Sequence, residues 1–146
     1  MRIALLICVV ASVSACAGSP ASPTGAAGGT AVDIAGTWNG TMVSSNNATQ
    51  QLKMVLTQSG SAISGTWDSS SVSWTGDISG VVNGSSFDGQ FKFSGRVSDG
   101  TVCTGTANVV GPATGSSMNW TSVGGVVGGS CPAPLPIGLQ IAVQRQ

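Results

Sequence analysis

The chain contains no histidine, no glutamate and no tyrosine, and its five acidic residues are all aspartate. Without histidine there is no Ser-His-Asp or Cys-His arrangement, and without glutamate general acid–base chemistry rests on aspartate alone. An enzyme is therefore not expected, and the catalytic set is empty. Charge of either sign is scarce: 7% of residues are charged, against roughly a quarter in an ordinary soluble protein. With five basic residues against five acidic ones, no basic face is available for a phosphate backbone, and counterion release has almost nothing to act on. Nucleic acid is excluded as a partner on that ground. Long apolar runs are missing too. The best, IALLICVVASV at residues 3–13, falls short of the roughly 20 residues that a membrane-spanning helix needs.

What the chain does have is glycine, 22 residues of it, together with serine and threonine at most polar positions. Its 146 residues leave room for one domain. The N-terminus differs from the rest. Arg2 gives a short positive start, the apolar run follows, and a cysteine, Cys16, stands where the composition turns to small residues and proline. Two readings of this seam compete. Ala15-Cys16-Ala17 fits the small-x-small pattern of ordinary signal-peptide cleavage. Val13-Ser14-Ala15-Cys16 resembles the bacterial lipobox, and this is the preferred reading. The resemblance implies cleavage before Cys16, a thioether-linked diacylglycerol on its sulfur and an amide-linked palmitate-type chain. Several acyl chains anchor stably where one binds only marginally. It further implies a bacterial envelope lipoprotein. Ala17, in place of an inner-membrane retention Asp, favours the outer membrane, with the domain facing either the periplasm or the surface.

The division that follows is a signal peptide over 1–15, a lipidated Cys16 with a Pro/Gly/Ser/Ala tether over 16–33, and a folded domain over 34–146. Cys8 leaves with the leader, which places Cys103 and Cys131 in an oxidising compartment where a disulfide is the natural state. Such a bridge closes a loop of about 29 residues and contributes about 3 to 4 kcal/mol in the chain-entropy account. Two cysteines with neither histidine nor glutamate do not make a metal site, and no cofactor is expected.

From Ile34 onward strand formers alternate with small polar residues, and turn signals recur every 8 to 12 residues or so, an all-β pattern. Strands are predicted over 34–43, 51–57, 62–68, 72–82, 85–97, 101–110, 117–122 and 137–145. Alternation assigns one face to Ile34, Trp38 and Met42, then to Leu52, Met54 and Leu56, then to Ile63 and Trp67. The same face takes Val72, Trp74, Ile78 and Val82, then Phe87, Phe91, Phe93 and Val97. Cys103, Ala107 and Val109 follow if Ser98-Asp99-Gly100 forms a three-residue loop with Gly100 left-handed. Met118 and Trp120, then Ile137, Leu139, Ile141 and Val143 complete it. Asn83-Gly84 predicts a two-residue type I′ hairpin. In that register Val82 faces Ser85, Gly80 faces Phe87, Ile78 faces Gly89, Gly76 faces Phe91 and Trp74 faces Phe93. Large side chains would then lie mostly over glycine.

Eight strands joined by short connections predict an antiparallel up-and-down β-barrel, which removes the two long uncharged edges of an open sheet. A β-sandwich is the runner-up. At Gly36-Thr37-Trp38 the chain resembles the calycin barrels, lipocalins and avidins, whose first strand carries Gly-x-Trp near the barrel floor. In lipocalins a basic residue from the far end of the chain packs on that tryptophan. The resemblance implies that role for Arg145 on Trp38, a cation–π contact of about 0.5 to 2 kcal/mol. The near repeat ISGTW at 63–67 offers hairpin repetition as another origin of the motif, and the tyrosine-bearing biotin site of avidins has no counterpart here.

Trp38, Trp67, Trp74, Phe91 and Trp120, with Phe87 and Phe93, either line a pocket for a small apolar ligand or fill the interior; eight-stranded barrels do both. Asp68, Asp88 and Asp99 read as turn or solvent-facing residues at or near turns, and Asp77 as outward-facing. Gly124–Gly129 lacks the helix that a phosphate-binding loop requires and reads as part of a stapled loop, 123–136. Two functions follow. A lipid-tethered barrel carrying a small hydrophobic molecule requires an internal cavity at one rim. A structural or interaction lipoprotein, meeting another envelope protein through its exterior or the 123–136 loop, has a filled interior with no cavity above a few water volumes.

Overall fold

A computed structural model describes residues 30–44, 47–71, 73–96, 99–129, 131 and 139–146. The leader, Cys16 and the tether up to residue 29 lie outside the described residues, as do Val72, Val97 and Ile137.

Eight strands close into one antiparallel up-and-down barrel. They are β1 (Gly36–Val43), β2 (Thr49–Ser59), β3 (Ala62–Ser69), β4 (Trp74–Asn83), β5 (Ser86–Arg96), β6 (Val102–Pro112), β7 (Ser117–Gly129) and β8 (Gln140–Arg145). Each strand pairs with its sequence neighbours, and β1 pairs with β8 from Trp38↔Arg145 to Val43↔Gln140. Closure gives every strand two partners, so a sandwich is ruled out.

The alternation read from the sequence sets the two faces. Inward positions such as Trp38, Met54, Ile78, Phe87, Val109, Met118 and Ile141 are buried, while the intervening Lys53, Thr57, Asp77, Gln90 and Lys92 are exposed or partly so. An apolar interior under a polar exterior is the reverse of a lipid-facing barrel. Gly100 is left-handed, with φ 85°, and Gly95↔Cys103 pairing directs Cys103 inward.

The register of the β4–β5 hairpin departs from expectation. Asn83 pairs with Ser86, Val82 with Phe87, Gly80 with Gly89 and Ile78 with Phe91. The two-residue loop is thus Gly84-Ser85, not Asn83-Gly84. Gly84 has φ 58° and Ser85 is not among the positive-φ residues, the sign pattern of a type II′ turn, which takes glycine first. The tripeptide Asn-Gly-Ser contains both turn signals. The shift moves each partner by two residues, so the inward face is kept. Phe87 now lies diagonally over Gly80 and Gly89, and the Trp74 ring lies over its partner Gly95. A Cβ at any of these glycines would collide with a ring.

The second departure concerns Gly124–Gly129. The 124–129 part of the expected stapled loop is instead the continuation of β7, paired with β6 from Asn108↔Gly124 to Cys103↔Gly129; its residues 130 and 132–136 lie outside the described residues. Sequence reasoning stopped the strand where glycine, a weak strand former, becomes dense. The ladder of β6 supplies partners for those backbone groups regardless. Val109 pairs with Ser122 and Asn108 with Gly124, so Val123 is the extra residue of a bulge and stands 62% exposed. Just beyond the last pair, Cys103 and Cys131 form a disulfide with Cα atoms 4.6 Å apart, which pins the glycine-rich end of β7 to β6.

The third departure is at the start of the domain. Ala31 and Val32, assigned to the tether, pack against the core. The Val32 amide donates to Gly84 O at 2.8 Å. Gln58 grips the same segment from both sides: its Nε2 donates to Val32 O at 3.1 Å, and its Oε1 accepts from the Ile34 amide at 2.8 Å. This segment crosses one end of the barrel and forms its floor.

Candidate functional site

The two ends of the barrel are filled differently. At the floor, Trp38 is completely buried and its indole N–H donates to Ile34 O at 2.9 Å. The Arg145 guanidinium lies over this ring, its carbon 5.1 Å from the centroid. It donates to Asp33 O at 2.9 Å and to Ala35 O at 2.8 Å, tying the last strand to the entering chain. Its ion pair with Asp33, at 3.9 Å and largely exposed, adds little. Above the floor Phe87 stacks on Trp120 with centroids 4.1 Å apart, and Phe91 meets Trp120 edge-on at 6.0 Å. Trp38, Phe87 and Trp120 therefore fill the interior.

At the opposite end the same inward face encloses a cavity of about 210 Å³, partly open to solvent. Its aromatic wall is Trp67, Trp74, Phe91 and Phe93, and the rest of the apolar lining includes Met42, Ala107, Val126, Val127 and Leu139. Trp74 and Phe93 are stacked at 5.7 Å, and Trp67 and Phe91 are tilted at 5.8 Å. Thus of the aromatic residues singled out from sequence, Trp67, Trp74 and Phe91 border the cavity, whereas Trp38 and Trp120 do not.

Trp67 is held by an unusual contact. Its indole N–H donates to the main-chain carbonyl of Lys92 at 2.9 Å. The β4–β5 ladder pairs Trp74–Thr75 with Ser94–Gly95 and resumes at Ile78↔Phe91. Gly76 and Asp77 fall in the gap. A side chain at Gly76 would strike Lys92 O and come within 2.8 Å of the Trp67 nitrogen. Glycine therefore allows the indole to take over a carbonyl that a ladder bond would otherwise use. A shallow outer groove, bordered by Thr66, Asp77 and Lys92, runs over this gap.

Polar groups at the cavity are few. Ser122 Oγ accepts from the Leu139 amide at 3.1 Å, and Ser122 N–H donates back to Leu139 O at 2.9 Å. Gln50, paired with Met42 and on the inward face, also lines the cavity. Its Oε1 is buried and has no hydrogen-bond partner among the described residues. Sequence reasoning missed Gln50 because the second strand was begun at residue 51, two residues late. Extending the alternation of Leu52, Met54 and Leu56 back by two places finds it. Among the described lining residues none is charged, which suits a neutral occupant.

The aspartates stand apart from the cavity. Asp68, Asp77 and Asp88 are exposed positions within strands, Asp68 and Asp88 near strand ends. Asp99 does sit in a turn, where the Thr101 hydroxyl donates to its Oδ1 at 2.6 Å and the Thr101 amide at 2.9 Å. These bonds, the hydroxyl's first, hold its carboxyl below the ordinary value. Among the described residues no three Cys, Asp or Glu side chains are grouped to hold a metal ion. Compared with family models and with curated proteins, the chain gives no match.

Proposed function

We propose that this protein is a bacterial envelope lipoprotein, anchored through acyl chains on Cys16, whose calycin-like barrel holds one small, neutral, apolar molecule. The observation that carries the binding half is the cavity of about 210 Å³ walled by Trp67, Trp74, Phe91 and Phe93. It exceeds an engineered pocket of about 150 Å³ that binds benzene, and falls below the roughly 300 Å³ at which drug-sized pockets begin. The occupant is accordingly a one- or two-ring molecule or the end of a chain. A filled barrel acting through its exterior alone predicts no space beyond a few waters, and the cavity argues against it. Support for the calycin-like reading comes from Gly36-Thr37-Trp38 on the first strand and Arg145 over Trp38. Support for the envelope comes from the lipobox and from the Cys103–Cys131 bridge, a bond that persists in oxidising compartments.

Native mass spectrometry of the protein purified from a bacterial envelope tests the binding half. A co-purified apolar mass of one or two rings is the expected result, and repeated recovery of the empty chain together with no uptake of added apolar compounds would sink it. Metabolic labelling with an alkynyl palmitate tests the anchor. Label on the native chain that is lost in Cys16→Ser is expected; an unlabelled native chain cut after Ala17 would mean ordinary secretion.

A further inference from the structure

We infer that the Cys103–Cys131 bridge regulates the cavity: closed, it fixes the glycine-rich end of β7 as a wall of the site, and its reduction by a dithiol frees that wall and releases the bound molecule. The inference rests on the proposed binding role and adds its control.

The cavity has two kinds of wall. One is the aromatic set on β3, β4 and β5. The other includes Gly124, Gly125, Val126 and Val127 of β7. This second wall is held far more lightly. β8 pairs with β7 only as far as Thr121↔Gln140, followed by the bonds exchanged between Ser122 and Leu139. Beyond Ser122, β6 is the one strand paired with β7 among the described residues.

That ladder has little side-chain support. Of its six pairs from Asn108↔Gly124 to Cys103↔Gly129, five contain a glycine, and Thr106↔Val126 is the exception. Cross-strand side-chain pairs stabilise a sheet beyond its backbone bonds, so here the backbone bonds stand almost alone. Burial does not make up the difference: no residue from Val123 to Gly128 is buried. A two-stranded ribbon of this kind is marginal in water. The disulfide supplies the missing anchor. Cys103 is completely buried, and Cys131, two residues past the end of β7, is bonded to it. The wall residues therefore lie between one fixed point at Ser122 and another at the bridge.

The two sulfurs differ in access. Cys131 is partly exposed and Cys103 is sealed, so an incoming thiolate reaches Cys131 Sγ. The S–S bond breaks, and Cys103 leaves as a thiolate that takes up a proton. The second thiol of the reductant then displaces Cys131 from the mixed disulfide. The dithiol ends as a disulfide and the protein ends with two thiols, so electrons and protons balance. Neither the aromatic wall nor the floor segment contains a cysteine, and both are left as they were.

Binding of benzene and of naphthalene to the full chain in lipid nanodiscs is measured by equilibrium dialysis, before and after treatment with dithiothreitol. Protein-free nanodiscs subtract partition into lipid, thiol alkylation confirms that the bridge is open, and hydrogen exchange is followed on the same samples by mass spectrometry. The reduced chain is expected to bind about tenfold more weakly, the effect of leaving about 55 Å² of apolar ligand surface wet. Reoxidation should restore the affinity. Exchange should quicken over 123–129 and stay unchanged around Trp38 and Ile141. The double variant Cys103→Ser with Cys131→Ser should bind as weakly as the reduced chain and ignore dithiothreitol. Unchanged affinity on reduction overturns the inference and leaves the bridge as a staple beside a working site. Faster exchange around Trp38 and Ile141 also overturns it, because the bridge then holds the whole barrel rather than one wall. A bridge that dithiothreitol does not open in the folded chain overturns it as well. If neither compound binds the oxidised chain, the proposed binding role itself falls.

Discussion

The floor and the cavity end are built from the same strands with the same alternation, yet one is solid and the other hollow. Both carry aromatic residues on the inward face: Trp38, Phe87 and Trp120 below, Trp67, Trp74 and Phe93 above. The contrast comes from what is not strand. The floor is crossed by residues 31–35, clamped by Gln58 and capped by Arg145, and its hairpins are tight, with two-residue loops at Gly60 and Gly84. At the other end β7 bulges at Val123 and continues past the last residue that pairs with β8. No chain crosses the interior there among the described residues. A barrel of eight strands is close to the size at which its own side chains fill it, so the segments at its ends decide between packing and space.

Substitutions at the two ends should separate stability from binding. Trp38→Ala, at the floor, is expected to cost about 3 to 5 kcal/mol, the usual range for deleting a buried aromatic; urea denaturation measures it, and a loss below half of that would mean the floor is not the stable end. Removing the bridge with Cys103→Ser and Cys131→Ser together should cost about 3 to 4 kcal/mol, with amide exchange rising first along Gly124–Gly129, where the disulfide pins β7 to β6. Trp74→Ala should cost only about 1 to 2 kcal/mol, since that ring is half-buried and its main partner is Phe93, while affinity for an apolar ligand falls at least tenfold. Equal destabilisation by Trp38→Ala and Trp74→Ala would erase the contrast.

The smallest effect is electrostatic. Thr101 holds the Asp99 carboxyl below its ordinary pKa, so this group stabilises the fold above the ordinary carboxylate range and ceases to do so as pH falls through its lowered value. Asp99 is fully exposed, and Asp99→Asn should flatten the acid limb of a Tm-versus-pH profile only slightly, with no change at the floor. A large shift would place Asp99 in a tighter environment than its two bonds to Thr101 provide.

Several features could be read directly from residue order because strand faces depend on parity alone. Trp38, Met42, Leu52, Ile63, Ile78, Phe91, Met118 and Ile141 were all assigned inward and all are buried. The antiparallel meeting of the first and last strands followed from strand count and closure, and Arg145 on Trp38 from the resemblance of Gly36-Thr37-Trp38 to the calycin barrels. The Asn83-Gly84 register did not, because Asn-Gly and Gly-Ser are both good turns and parity is indifferent to a shift of two. Nor did the strand at Gly124–Gly129, since glycine has no side chain to announce a partner. Gln50 was hidden by a strand boundary placed too late, the ordinary weakness of reading ends from propensity.

The amino-acid order by itself determined an all-β chain, its inward face and its near-neutral surface, because these follow from local periodicity and composition; the choice of closed barrel over sandwich was decided by the pairing of β1 with β8. Tertiary structure alone decided which aromatic residues are filler and which are wall. Glycine opposite a ring is equally consistent with a packed contact and with empty space, and the segment 31–35, laid across the floor and held by partners distant in sequence, is what makes that end solid.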